Sequence, residues 1–451
     1  MNDQRKPVGP APVLSRTRRV LRGVARVPTS KPHSQRAGLL AALAEGESLI
    51  RRPNLCSESA ILQQACEELG AVFTPATGPD GPDGTALTVQ GVGGRPRRPT
   101  TVLRTAGSGF ALRHLMAVTS LAESPCVLTG DLRLAARPLE PLKDALTELG
   151  GRLEYAAPEL VLPLVNWSGG LAGGEVTVPA HETSQFVSAL LLVAPYAARP
   201  VRVRVPGAVV GGHYIRMTLD MMRRFGAETR AQPDLGLIEV RPGGYTAREL
   251  TLGPDVTALF SLIAAAVVAD TDVRVQDVLL GDDALLDAAV ALGRRLGVRI
   301  SQEGPDVRIV SGPAPAGPLD IDATDLPTLV PALAAVAAHL PNGLRLRGAR
   351  HVQHHKTSRL AVMIEELAAL GMQLRPIHRD GALDGFETGH LGPPATRQVS
   401  SFGDHRNYMA LYLAALTVPE PVVISGEETL TMSFADFHAC FSSLMGQPAA
   451  L

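Results

Sequence analysis

The sequence predicts an α/β protein of two lobes built from six repeats, three in each lobe. Three observations lead there. The chain has 451 residues, more than one hydrophobic core usually supports. Apolar segments with helical periodicity come in pairs, and the pair recurs six times at a spacing of roughly 65–80 residues. Most members of these pairs close on a glycine or a turn and run on into a short β-like stretch.

The first pair covers residues 37–46 and 60–70, the second member ending EELGAVF. It is followed by 111–122 with 142–150 (TELGGRLEY), and by 184–197 with 217–226 (MRRFGAETR). Residues 256–269 with 284–297 (GRRLGVRI), 329–339 with 358–371 (EELAALGMQL) and 408–418 with 434–446 complete the set. A glycine after leucine or phenylalanine reaches the left-handed conformation that closes a helix and turns the chain back. Segments such as SQFVSALLLVAPYA and LFSLIAAAVVA lack a polar face, so they belong inside each lobe, whereas LKDALTELG is amphipathic and covers it.

RPGGYT at 241–246 reads as a crossover between lobes and the run 20–28 as a second one. The expected division is therefore a mobile leader over 1–18, a first lobe over 29–246, and a second lobe made of 19–28 plus 247–451.

Apolar residues make up 45% of the chain and charged residues 19%, which describes a globular protein with ample core. The formal charge of -1 argues against a nucleic-acid or membrane-surface partner, either of which would call for a basic face. An anionic ligand must then be gripped by local charge. Cys56, Cys66, Cys126 and Cys440 are scattered without CxxC spacing, and there is no signal peptide or long uncharged apolar run, so a reducing cytoplasm is the expected address. The expected assembly is a monomer or weak oligomer. Lysine occurs only at Lys6, Lys31, Lys143 and Lys356.

Seven stretches stand in register along the chain: SKPHSQRA (30–37), GSGFALR (107–113), GDLRLAARP (130–138), TSQF (183–186), GGHYI (211–215), KTSRL (356–360) and GDHR (403–406). Together they resemble the signatures of the enolpyruvyl (carboxyvinyl) transferases, and of the 5-enolpyruvylshikimate-3-phosphate synthase branch in particular. The resemblance covers nearly everything from about residue 20. It implies an inside-out α/β barrel of βαβαββ-type repeats, with the site in the cleft between the lobes. It also implies a transferase that moves the carboxyvinyl group of phosphoenolpyruvate to a hydroxyl and releases phosphate, with no cofactor.

A ligand carrying a phosphate and a carboxylate needs several converging cations, preferably arginines able to bind in pairs. The resemblance puts Lys31, Arg133, Arg359 and Arg406 on these anions, and Arg36 and Arg113 on the acceptor side, with Gly109 in the same binding set. Thr183, Ser184 and Gln185 open the most apolar helix, where free N–H groups can take the acceptor phosphate, although capping alone also explains a hydroxyl there. Tyr214 matches an acceptor-contacting tyrosine; packing is its rival explanation.

Several positions depart from the family pattern. Thr328 stands where the family has the carboxylate that handles the acceptor hydroxyl, with Asp325 three residues upstream. Lys356 stands in place of a glutamate, and Met432 in place of a lysine. Pro32, Gly107 and Gly211 replace serine, asparagine and serine. Two readings of HVQHHK (351–356) stay open: Lys356 grips an anion while His351, His354, His355 or Asp325 carries the proton, or the segment is a polar loop without a task. Lys31, Asp325, His355 and Lys356 are the catalytic candidates.

These departures lead to an expected acceptor other than shikimate 3-phosphate, such as a nucleotide or a sugar phosphate in a specialised pathway. The alternatives are an ordinary 3-phosphoshikimate 1-carboxyvinyltransferase of the shikimate pathway, a non-catalytic anion-binding relative, and an enzyme using the cleft for phosphate elimination or cyclisation.

Overall fold

The computed structural model describes residues 19–77, 85–123, 125–131, 134, 137–157, 160–281, 283–354 and 357–446. The chain divides into two compact units, Thr29–Leu252 and Met1–Pro28 with Gly253–Leu451. Each has its own apolar core.

The elements follow one another as the paired pattern demands. After β1 (Val20–Ala25), the first repeat runs α1 (Lys31–Leu43), β2 (Glu47–Arg51), α2 (Ser57–Glu68), β3 (Val72–Thr77) and β4 (Thr85–Gln90). The second runs β5 (Leu103–Arg104), α3 (Gly109–Val118), β6 (Cys126–Thr129), α4 (Glu140–Glu148), β7 (Leu153–Ala157) and β8 (Leu160–Asn166). The third runs β9 (Gly174–Thr177), α5 (Gln185–Val193), β10 (Val201–Arg204), α6 (Gly212–Arg224), β11 (Thr229–Ala231) and β12 (Leu237–Val240), with β13 (Glu249–Thr251) after it. The fourth comprises α7 (Val256–Val268), β14 (Asp270–Val275), α8 (Ala284–Arg295), β15 (Arg299–Glu303) and β16 (Asp306–Val310). The fifth comprises β17 (Leu319–Asp322), α9 (Val330–Ala337), β18 (Leu344–Arg347), α10 (Arg359–Ala369), β19 (Met372–Arg379) and β20 (Ala382–Leu391). The sixth comprises β21 (Gln398–Ser400), α11 (His405–Ala415), β22 (Val423–Ser425) and α12 (Phe437–Leu444).

One sheet topology repeats. Its first strand lies parallel to its second, and the hairpin formed by the last two pairs antiparallel beside it, as in β5-β6-β8-β7, β9-β10-β12-β11 and β17-β18-β20-β19. Repeats 1 and 4 borrow their first strand from elsewhere in the chain: β13 pairs with β2, and β1 pairs with β14 along its whole length. The second crossing between units therefore falls at Leu252/Gly253, beyond the expected 246/247, because the β13–β2 ladder holds Glu249–Thr251 on the first unit. Among the described residues the sixth repeat has two parallel strands and no hairpin.

The first helix of each pair is buried nearly all round in repeats 3, 4 and 6, as its apolar composition requires. The second buries one face, for example Leu142, Ala145 and Leu146 of α4. The glycine closing each second helix, Gly70, Gly150, Gly226, Gly297, Gly371 or Gly446, has φ between 67° and 107°. After α2 and α4 the next N–H bonds back to the last turn, Ala71 N to Cys66 O and Gly151 N to Leu146 O, which is the Schellman closure.

Two expected helix starts were late. α1 begins at Lys31 rather than 37, and α6 at Gly212 rather than 217. Their first turns, KPHSQR and GHYIR, are too polar to show apolar periodicity, yet Ser30 caps α1 by accepting the His33 N–H and Pro32 suits a first turn. Among the described residues no helix is long and apolar enough to cross a membrane.

Candidate functional site

The polar first turns that concealed these helix starts carry the site residues. In the Thr29–Leu252 unit, α1, α3, α5 and α6 pack side by side and bring most of the candidates together. Arg36 is 2% exposed and meets no carboxylate among the described residues. Its Nε donates to Thr218 Oγ1 at 2.7 Å and its Nη1 to Pro32 O at 3.0 Å. The guanidinium carbon lies 5.2 Å from the Phe110 ring centroid and 5.7 Å from that of Tyr214. Burial pushes the Arg36 pKa down to about 10, against a smaller upward pull from Tyr214. It keeps its charge at neutral pH, held by two polar oxygens and two ring faces.

Arg113, on α3, is also buried and donates from Nη1 to Gln185 Oε1 at 2.7 Å. Its guanidinium sits over Phe186, 5.2 Å from the ring centroid, and its buried Nε has no hydrogen-bond partner among the described residues. Burial and the neighbouring Arg137 lower its pKa to about 10, with Glu182 pulling the other way. Gly109 opens α3, and a Cβ there would stand 2.8 Å from Arg137 Nη1 and 3.1 Å from Arg113 Nη1. Two guanidinium tips thus crowd the space beside this glycine.

Lys31, at the start of α1, is buried and pairs with Glu58 at 2.9 Å. Ser184 precedes α5, and Thr183 Oγ1 accepts from Gln185 N at 3.2 Å, a local turn bond. Gly211 has φ 61°, and a Cβ added to it would lie 3.4 Å from both Ser184 Oγ and Tyr214 Cδ2, so these three are neighbours. That left-handed backbone gives a physical reason for glycine where serine was expected.

The other unit arranges its charges differently. Arg359 begins α10 and donates from Nε to Asp404 Oδ2 at 2.7 Å, both side chains being essentially buried. Asp404 also caps α11, its Oδ1 accepting from Arg406 N at 2.9 Å. Burial alone would raise the Asp404 pKa, but Arg359, His405 and Arg406 outweigh it and hold the carboxylate far below the ordinary range. Arg406 keeps a buried Nε without a hydrogen-bond partner among the described residues. Asp325 is exposed, whereas Thr328 is buried and its Oγ1 has no hydrogen-bond partner among the described residues. His351 is buried. Arg133, His355 and Lys356 lie outside the described residues, as does the side chain of His354.

Against this geometry, the family model for EPSP synthase (3-phosphoshikimate 1-carboxyvinyltransferase) matches residues 16–441. The chain belongs to the EPSP synthase family. A 3-phosphoshikimate 1-carboxyvinyltransferase of Methanosphaera stadtmanae is 29% identical over 426 residues, covering 92% of this chain and 95% of that protein. Among solved structures, EPSP synthase from Acinetobacter baumannii superposes with a TM-score of 0.77 at 23% identity, covering 96% and 97% of the two chains. The enolpyruvyl transferase NikO from Streptomyces tendae gives 0.69 at 20%, covering 96% and 98%. These likenesses carry the inside-out α/β fold of the family over to this chain.

Sequence reasoning missed four participants. Glu58, Arg137, Thr218 and Asp404 each neutralise, crowd or orient a predicted cation. Arg137 and Asp404 were visible inside GDLRLAARP and GDHR. Glu58 and Thr218 sit in helices whose sequence gives no sign of a site.

Proposed function

We propose that the protein transfers the carboxyvinyl group of phosphoenolpyruvate to a hydroxyl of a phosphorylated acceptor and releases phosphate. The observation that carries this reading is the cation surplus at the helix N-termini of the Thr29–Leu252 unit. Arg36, Arg113 and Arg137 form no ion pair with any carboxylate among the described residues, and Gln185 and Ser184 stand beside them. Buried guanidinium groups without a carboxylate are stable only when an anion or polar groups compensate them. Arg359 and Arg406 are assigned to the donor's carboxylate, with Asp404 orienting Arg359.

For the acceptor, the names of the curated relatives favour shikimate 3-phosphate over the different acceptor expected from the sequence. The different acceptor remains the second reading, because Thr328 offers a hydroxyl where a proton-handling carboxylate is expected, and Met432 a thioether where a lysine is expected. Removing a general acid or base ordinarily costs roughly 10²–10⁴-fold in rate. The four free cysteines fit a reducing compartment.

The test is incubation with phosphoenolpyruvate and either shikimate 3-phosphate or a panel of other phosphorylated alcohols, following phosphate release and acceptor mass. The first reading predicts phosphate release and gain of a carboxyvinyl group with shikimate 3-phosphate. Turnover only with another acceptor moves the assignment to the second. Tight binding without release would mark a non-catalytic relative, and release without phosphoenolpyruvate an eliminating enzyme.

A further inference from the structure

We infer that the groove between α2 and the free edge of β5 binds a small zwitterion with an apolar side chain, that is, a free amino acid. This surface is separate from the residues assigned to phosphoenolpyruvate and the acceptor, and its role does not depend on the proposed function.

The argument begins with the edge of a sheet. β5 is the outermost strand in the order β5-β6-β8-β7, so one of its edges is unpaired. The Thr105 N–H donates toward β6, to Thr129 O at 2.9 Å. Successive residues of a strand alternate in direction, so the N–H and C=O of Arg104 point the other way, onto the free edge. α2 packs beside β5. Between them lies a cavity of about 400 Å³ whose walls include Ile61, Gln64, Ala65, Glu68, Val102 and Arg104. Cavities of roughly 300–1,000 Å³ are the size that takes up small ligands.

The walls combine an apolar strip with two opposite charges. Ile61, Ala65 and Val102 make the strip, and Val102 is 42% exposed, a branched apolar side chain left uncovered beside a strand. On α2, Glu68 Oε2 accepts from Thr100 Oγ1 at 3.0 Å, which leaves its other oxygen for a ligand. On β5, the exposed guanidinium of Arg104 forms no hydrogen bond or ion pair among the described residues. The two line one cavity and do not pair with each other.

A ligand carrying both charges answers this arrangement. Its carboxylate takes the Arg104 guanidinium and backbone N–H, its ammonium takes Glu68, and its side chain covers the strip. A simple anion or cation would satisfy one wall and be opposed by the other. An internal stretch of peptide would bring main-chain groups but neither end charge.

The test is calorimetric titration of the full-length protein with L-leucine and L-phenylalanine up to about 10 mM, and with the N-acetyl and amide forms of each. Loss of either end charge is expected to weaken binding about 5- to 10-fold, the worth of one partly exposed charged contact. Arg104→Gln should weaken the free amino acid by the same factor and leave the amide, which already lacks its carboxylate, unchanged. Glu68→Gln should weaken the free amino acid and leave the N-acetyl form unchanged. Both positions reach the surface, so a parent-like Tm is expected for each variant; were either unstable, the blocked ligands read the same charges on the parent. Hydrogen exchange with L-leucine bound should slow at Gln64–Glu68 and Val102–Thr105. Failure of the parent to bind either amino acid, parent-like binding by both variants, or protection elsewhere overturns the proposal. Equal or tighter binding of the blocked forms overturns it in favour of a peptide groove.

Discussion

The two units solve the burial of arginine at a helix start in opposite ways. At the start of α10, Arg359 is locked to Asp404, a carboxylate from the neighbouring repeat that also caps α11. In the other unit, Arg36 and Arg113 are held by a threonine hydroxyl, a backbone carbonyl, a glutamine amide and aromatic faces, and among the described residues neither of them bonds a carboxylate. Both sites are entered through a non-glycine residue in the left-handed region, Ala106 before α3 and Phe402 before α11. Such strain costs on the order of 1–3 kcal/mol and persists only where the surroundings enforce it. The shared framework carries different compensation: Asp404 fixes the orientation of Arg359, whereas the charges of Arg36 and Arg113 meet only neutral groups among the described residues.

Breaking the self-neutralised pair should have the largest effect. Asp404→Ala removes a buried partner and a helix cap together, and an orphaned buried charge costs about 3–5 kcal/mol. Thermal unfolding should show a clear loss of Tm that phosphate does not restore. An unchanged Tm would mean that the pair is not a structural element. Within the cation-rich unit, His114 gives a smaller and pH-dependent handle. Burial, then Arg36 and Arg113, hold its pKa well below the ordinary value, so it is neutral in the folded protein. The unfolded chain takes up a proton below about pH 6.5, whereas the folded one does not. Stability should therefore fall as pH drops through that point, by up to about 1.4 kcal/mol per unit from this group. Comparing the Tm of the parent and His114→Gln between pH 7.5 and 5.5 checks this, and equal slopes would remove His114 from the account. An effect of similar size, confined to stability, falls outside both sites. Gly70→Ala, at φ 107°, should cost about 1–2 kcal/mol through the helix closure alone and leave ligand binding as it was, which titration can verify.

The architecture was legible because its signals are local and repeated: leucine–glycine helix ends, paired apolar segments and turn-rich crossings. The strands β1 and β13 were harder to assign, because which sheet a short strand joins is decided by partners more than 200 residues away. Arg36, Arg113, Gln185 and Tyr214 were legible through motif spacing. Glu58 and Thr218 were not, because an ion pair or a bond to a buried hydroxyl joins distant helices and leaves no periodicity. Met432 and Thr328 show the reverse: the substitution is plain in sequence, while its chemical consequence depends on what surrounds it.

The contrast between the units is tested most directly by hydrogen exchange of the full-length protein with and without inorganic phosphate. Binding at 100 times the dissociation constant supplies about 2.7 kcal/mol. The account predicts slower exchange at the starts of α3 and α5, around Gly109–Arg113 and Gln185, with no change at Arg359 or Asp404–Tyr408. Protection at the Asp404 end alone, or no protection at either, would contradict it.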